Sequence, residues 1–158
     1  MTLFILGLAI FLADQAIKRY ILFNFTLRQT REFIPGVLQL TYVQNTGAAF
    51  RILENHQWFI MLLSSLLIVL LVVMLARGVF RCRIQQWAVA TVIGGALGNL
   101  ADRLIHGFVI DMFEPIFVRF AVFNLADSAI VIGGIVFVIA YLIDERRREG
   151  NSKDSADA

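Results

Sequence analysis

Asp111 and Asp127 are carboxylates set beside long apolar segments. They lie in Val109-Ile110-Asp111-Met112-Phe113 and in Phe123-Asn124-Leu125-Ala126-Asp127-Ser128, and the second run opens a stretch that is otherwise apolar to Ile143. An ionisable group at membrane depth costs ~2.5–3.5 kcal/mol on insertion scales and is kept for a task. Two carboxyls held close together can share one proton, so that one acts as acid while its neighbour acts as base. The plainer alternative is two unrelated carboxylates capping helix ends. Asp102 is a third candidate, and residue chemistry alone leaves open which two of Asp102, Asp111 and Asp127 would pair.

Two further polar groups could support such a site. Asp14 and Lys18 are four apart, so a helix puts them on one face with the acid N-terminal, the favoured order for an ion pair. They read either as a pair lowering the cost of both charges or as a polar brace beneath an active site. In Gly98-Asn99-Leu100-Ala101-Asp102-Arg103, Asn99 and Asp102 are three apart and share a helical face. Arg103 offers a rigid fork of donors to a carboxylate, a phosphate or a peptide carbonyl. The plainer reading of this cluster is a helix end meeting water. Other chemistries are poorly served. Ser64 and Ser65 have no nearby His or Lys, Ser128 lacks a G-x-S-x-G setting, and Cys82 is the single cysteine. His56 and His106 lie far apart, with no second ligand at a metal-binding spacing.

The elements that must position these residues are membrane spans. Hydrophobic residues make up 59% of the 158-residue chain and charged residues 16%, and the mean hydropathy is +0.76; soluble domains are about 45–50% apolar. Four segments are expected to cross a bilayer, which needs ~20 residues of helix: Leu3 to about Phe23, Trp58 to Ala76, Trp87 to about Leu100, and Leu125 to Ile143. The third has the shortest apolar run, and its small residues at 94–98 would let another helix approach closely. The first lacks the basic start and small-residue cleavage site of a signal peptide and reads as a retained span. The short segments carrying Arg77, Arg81 and Arg83, and Arg146, Arg147 and Arg148, belong on the cytoplasmic side. Both termini are then inside, residues 24–57 and about 103–124 outside, and both aspartates at the outer boundary. Lys18, Arg19, Arg28, Arg31 and Arg51 weigh against this orientation but fall in or near a loop with structure of its own.

That outer loop, 24–57, is too long for a mere connector. Leu38-Gln39-Leu40-Thr41-Tyr42 alternates as a strand does, Pro35-Gly36 precedes it as a turn, and Asn45-Thr46-Gly47 follows as another. The loop is expected to form a small sheet resting on the membrane, a lid-like platform from which Asn45 reaches a substrate. The fold class is therefore mainly α: a polytopic membrane protein of four helices with a small β-containing outer loop. Residues 1–149 form one embedded domain, and residues 150–158 form a polar, disordered tail.

Along nearly its whole length the chain resembles the lipoprotein signal peptidases, or signal peptidase II family. The resemblance is carried by Asp14-Gln15-x-x-Lys18, Asn45-x-Gly47-Ala48-Ala49-Phe50, Gly98-Asn99-x-x-Asp102-Arg103, Val109-x-Asp111 and Phe123-Asn124-x-Ala126-Asp127, in that order. Departures are Met112, where an aromatic commonly follows the aspartate, and Arg51-Ile52 in place of a small polar residue. The resemblance implies an intramembrane aspartyl endopeptidase of the bacterial inner membrane. Such an enzyme cleaves diacylglyceryl-modified prolipoproteins just before the lipid-bearing cysteine and is inhibited by globomycin-type compounds. It implies Asp111 and Asp127 as the catalytic pair. Asn45, Gly47, Asn99, Asp102, Arg103 and Asn124 would be substrate-contact or supporting residues, and Asp14 and Lys18 further support. Asp102 would then orient its neighbours without joining the pair. No cofactor, metal or nucleic acid is implied, and membrane lipid is the surrounding partner. The rival classes are a proton-coupled transporter or channel using the same acids as relays, and a non-catalytic assembly factor. Four spans without a detectable repeat make a poor alternating-access machine.

Overall fold

The computed structural model describes residues 1–47 and 57–154, with side chains to residue 149. Four helices dominate: α1 (Thr2–Asn24), α2 (Gln57–Ala76), α3 (Arg83–His106) and α4 (Leu125–Asp154). Their apolar side chains face outward. Phe4, Leu8, Leu66, Leu70, Ile132 and Ile139 are all exposed, while Asp14, Lys18, Asn99 and Asp102 are buried between helices. This inversion suits a hydrocarbon surround. Among the described residues three helices are long and apolar enough to cross a membrane: α2, α3 and α4 as far as Glu149. At 23 residues α1 has the length but carries Asp14, Lys18 and Arg19.

Helix α3 lies at the centre, packed against α1, α2 and α4. The close approaches fall where small residues were expected to permit them. A Cβ on Gly94 would lie 2.6 Å from the backbone oxygen of Gly7 in α1, one on Gly95 2.5 Å from that of Ala126 in α4, and one on Gly98 2.5 Å from the Asp14 carboxylate. The helix extends beyond the expected 87–100 at both ends. It stops at Gly107, whose φ of 76° gives the left-handed cap and whose N–H bonds the Arg103 carbonyl. Helix α4 runs from Leu125 to Asp154. Residues 155–158 lie outside the described residues.

Three antiparallel strands, β1 (Thr30–Ile34), β2 (Leu38–Asn45) and β3 (Val109–Pro115), form one sheet in the order β1-β2-β3. The strand signal at 38–42 becomes β2, three residues longer than expected. The third strand comes from the segment between α3 and α4, where no strand was expected. The alternation of β2 sends Leu40 and Tyr42 to one face. There they pack with Ile110, Met112 and Phe113 of β3 and with Ile21 and Phe25 at the end of α1. The N–H groups of Met112 and Phe113 both bond the Phe123 carbonyl, a β-bulge that puts both side chains on that apolar face. The opposite face carries Asn45 and Asp111. The expected motif residues Ala48, Ala49 and Phe50, with Arg51, Ile52 and His56, lie outside the described residues.

Candidate active site

The site forms where β2 and β3 meet the C-terminal end of α3 and the N-terminal end of α4. Asn124 organises it. Just ahead of α4, its Oδ1 accepts the Asp127 backbone N–H at 2.8 Å, while Asp127 Oδ2 accepts the Asn124 N–H at 3.3 Å. This reciprocal pair is a capping box that satisfies helix-terminal donors and fixes the Asp127 rotamer. With Oδ1 committed to a donor, the Asn124 amide must present Nδ2 elsewhere, and that nitrogen donates to Asp111 Oδ1 at 2.7 Å. Asn124 therefore bonds both aspartates. On its other oxygen Asp111 accepts from Asn45 Nδ2 at 2.9 Å, and Asn45 Oδ1 accepts the Gly47 N–H at 3.0 Å, closing the expected turn.

The Asn99 orientation is set from behind. Lys18 has donors only, so Asn99 must turn Oδ1 toward Lys18 Nζ, 2.9 Å away, and Nδ2 toward Asp127 Oδ1, 2.7 Å away. Asn124 Nδ2 also reaches Asn99 Oδ1 at 3.1 Å. Lys18 makes two further contacts, to Asp14 at 2.8 Å and Asp102 at 2.9 Å. All three charged side chains are essentially buried. Such a cluster is tolerable because every charge is paired and hydrogen-bonded. Asp14 Oδ1 accepts the Ala126 N–H at 2.9 Å, so α1 helps cap α4. Asp102 Oδ2 accepts the Ile110 N–H at 3.0 Å, tying α3 to β3.

The expected residues thus fall into two layers. Asn45, Asn99, Arg103 and Asp127 line a cavity of about 510 Å³ whose other walls include Phe123, Ile130 and Val131. Asp111 and Asn124 are bonded to that wall from the side. Asp14, Lys18 and Asp102 form the layer behind, with Asp102 turned to Lys18, Ile110 and Gln15. Gln15, not among the expected site residues, donates to Asp102 Oδ1 at 2.9 Å and to the Gly98 carbonyl at 3.2 Å. Its position one residue after Asp14 and three before Lys18 was the available signal. Arg103 donates to the Gly47 carbonyl at 2.9 Å, while its buried Nε has no partner among the described residues.

Burial, and next the charge of Asp127, push the Asp111 carboxyl up from its ordinary 3.8 to about 7; the bonds from Asn45 and Asn124 oppose the rise. Asp127 is the third residue of α4, where the helix N-terminus favours negative charge. The arrangement can therefore hold one neutral and one ionised carboxyl side by side, as acid–base chemistry on a water and a carbonyl requires.

Helices with apolar faces turned outward, around two carboxyls joined through Asn124, one on β3 and one on α4, mark a membrane-embedded protein that carries the groups for acid–base chemistry. A sequence model of the family described as "Signal peptidase (SPase) II" matches residues 6–143. The chain is 41% identical over 144 residues to the lipoprotein signal peptidase of Streptococcus pyogenes serotype M5 (strain Manfredo), covering 90% of this chain and 95% of that one. The same figures hold for the serotype M18 (strain MGAS8232) protein. A bacterial membrane enzyme solved by the in meso method at 2.3 Å resolution superposes with a TM-score of 0.86. It is 32% identical, and the match covers 91% of this chain and 89% of that one. A second, solved at 1.9 Å, gives 0.82 at 31% identity, covering 89% and 92%. The chain belongs to the signal peptidase II family, whose members are membrane proteases.

Proposed function

We propose that this protein is an aspartyl endopeptidase that removes the signal peptides of diacylglyceryl-modified prolipoproteins, cutting just before the lipid-bearing cysteine. The observation that carries the mechanism is the Asn124 bridge, which holds Asp111 and Asp127 in one hydrogen-bonded unit. Asp111, buried on its strand, is the neutral partner and hydrogen-bonds the scissile carbonyl oxygen. Asp127, at the start of α4, is ionised and takes a proton from the attacking water. The water oxygen adds to the carbonyl carbon, and the tetrahedral intermediate breaks its C–N bond as the amine leaves with a proton from the pair. Asn45 and the Arg103 Nε supply donors to peptide carbonyls, contacts indifferent to side-chain identity. Asp102 orients Lys18 and β3 without entering the chemistry.

In this reading α1 is the fourth span, because its Asp14 and Lys18 face α3 rather than lipid. The site lies at the outer face of the bacterial inner membrane, and both termini are cytoplasmic. The signal peptide and the acyl chains lie against the apolar walls of the 510 Å³ cavity. Burial at ~0.8 kcal/mol per CH₂ brings the modified cysteine to the depth of the pair. Globomycin-type inhibitors would compete there. The test is purified protein in lipid with matched prolipoproteins, diacylglyceryl-modified and unmodified, and the new N-terminus read by mass spectrometry. Cleavage of the modified form alone, before its cysteine, is expected. Equal cleavage of both, or a cut elsewhere, refutes this specificity.

A further inference from the structure

A polar stripe leads away from the aspartate pair along the sheet. The alternation of β2 places Gln39, Thr41, Val43 and Asn45 on the face opposite the apolar one. Val43 pairs with Asp111, and Gln39 pairs with Glu114. The bulge at Met112 and Phe113 returns Glu114 to the same face as Asp111. Its side chain is held there: Glu114 Oε2 accepts from Gln39 Nε2 at 2.8 Å and also from the Thr41 hydroxyl. Both bonds fall on one oxygen, so Oε1 keeps its capacity to accept. Beyond Glu114 lies a second, more open cavity of about 630 Å³, lined by Gln39, Glu114 and Arg119 and walled by Phe120 and Ala121. Those last two residues also line the catalytic cavity. The two spaces are therefore neighbours that share the Phe120–Ala121 wall.

From this placement we infer that the second cavity is a subsite for the mature side of the substrate, the residues following the scissile bond, and that Glu114 reads their charge. The inference rests on the peptidase reading given above and extends it to substrate preference. The signal peptide is apolar and must stay against α4 in the membrane. The released chain is polar and must leave toward water, and the stripe of Asn45, Thr41, Gln39 and Glu114 is its polar exit. Asp111 and Glu114 are three residues apart on β3, or about 10 Å at roughly 3.3 Å per residue. An extended substrate chain whose scissile bond lies at the pair then brings its third or fourth mature residue to Glu114. A basic side chain there is favoured and an acidic one disfavoured, by roughly two- to fivefold, the scale of a partly exposed charge pair. Arg119, exposed at the far wall, has the opposite preference.

The test uses full-length enzyme in lipid and diacylglyceryl-modified prolipoproteins that differ only in Lys, Gln or Glu at the third and fourth mature positions. Wild-type kcat/KM should rank Lys above Gln above Glu, with the difference in KM. Glu114→Gln, which keeps the bonds to Gln39 and Thr41, should abolish the ranking while leaving kcat on the Gln substrate and Tm unchanged. Glu114→Lys should reverse the ranking, and Arg119→Ala should widen it. A wild-type enzyme indifferent to the three substrates, or a ranking that survives both Glu114 variants, overturns the subsite while leaving the peptidase reading intact. Failure to cleave any modified substrate would instead refute the peptidase reading.

Discussion

At the scale of single residues, the two carboxyls differ in what surrounds them, and the proposed division of labour rests on that difference. Asp111 is buried on a strand, and its carboxyl is pushed up to about 7 by burial and by the Asp127 charge. Below that pH it is neutral and can donate to a carbonyl; above it the donor is lost. kcat/KM should therefore fall as pH rises through about 7. Asn45→Ala removes a donor that favours the ionised form of Asp111, so this basic limb should move to higher pH while cleavage weakens. A limb unmoved in a folded, active Asn45→Ala enzyme would contradict the assignment. The sign for stability is the same. Between about 3.8 and about 7 the folded state holds a proton that the unfolded chain has released, so Asp111 lowers stability as pH rises through that window. Behind the pair, Lys18 is the shared cationic partner of two buried carboxyls and sets the Asn99 amide. Lys18→Met leaves both acids uncompensated and should cost about 3–5 kcal/mol, read as a lowered Tm in detergent. A variant with wild-type Tm would show that the cluster is not held by its charges.

At the scale of elements, α3 and its glycines set the distances. A methyl on Gly95 would sit 2.5 Å from the Ala126 backbone oxygen, and backbone does not yield as a flexible side chain can. Gly95→Ala should push the start of α4 away from α3, lengthening the Asn99–Asp127 bond. We expect a loss of about 1–3 kcal/mol in stability and at least about tenfold in cleavage, since small displacements of reacting groups are costly. Wild-type turnover in that variant would show that α3–α4 contact does not position Asp127. The helical relations here were open to reading: Asp14 with Lys18, and Asn99 with Asp102 and Arg103, each share a turn of one helix. Strand β3 was not. Its bulge breaks the two-residue alternation at Met112 and Phe113, and Val109 to Met112 are buried on both faces, which erases the polar–apolar pattern. The cap that Asp14 provides to Ala126 spans 112 residues of sequence, and local spacing carries no trace of such a bond. The Asn99 amide is oriented by Lys18, 81 residues away in sequence, a relation that local spacing does not carry.

At the scale of the whole molecule, an inside-out helical bundle holds a charged network at its centre and presents apolar side chains outward. By the positive-inside rule, the basic runs at Arg77, Arg81 and Arg83 and at Arg146, Arg147 and Arg148 predict a cytoplasmic α2–α3 connection and a cytoplasmic end of α4. Reporter fusions after residues 80 and 150 should report cytoplasm, and one near residue 40 the outside; reversed signals would overturn the orientation and put the sheet on the wrong face. The central claim is that Asp111 and Asp127 act as one unit while Asp102 only supports them. Its most direct measurement is turnover of a diacylglyceryl-modified prolipoprotein by Asp111→Asn, Asp127→Asn and Asp102→Asn enzymes of verified fold, singly and with the first two combined. Either pair variant alone should abolish cleavage as completely as the double, because removing one member of a unit removes its function, and folded Asp102→Asn should retain measurable turnover. Substantial cleavage by folded Asp111→Asn or Asp127→Asn, or complete loss in a stably folded Asp102→Asn enzyme, would contradict the claim.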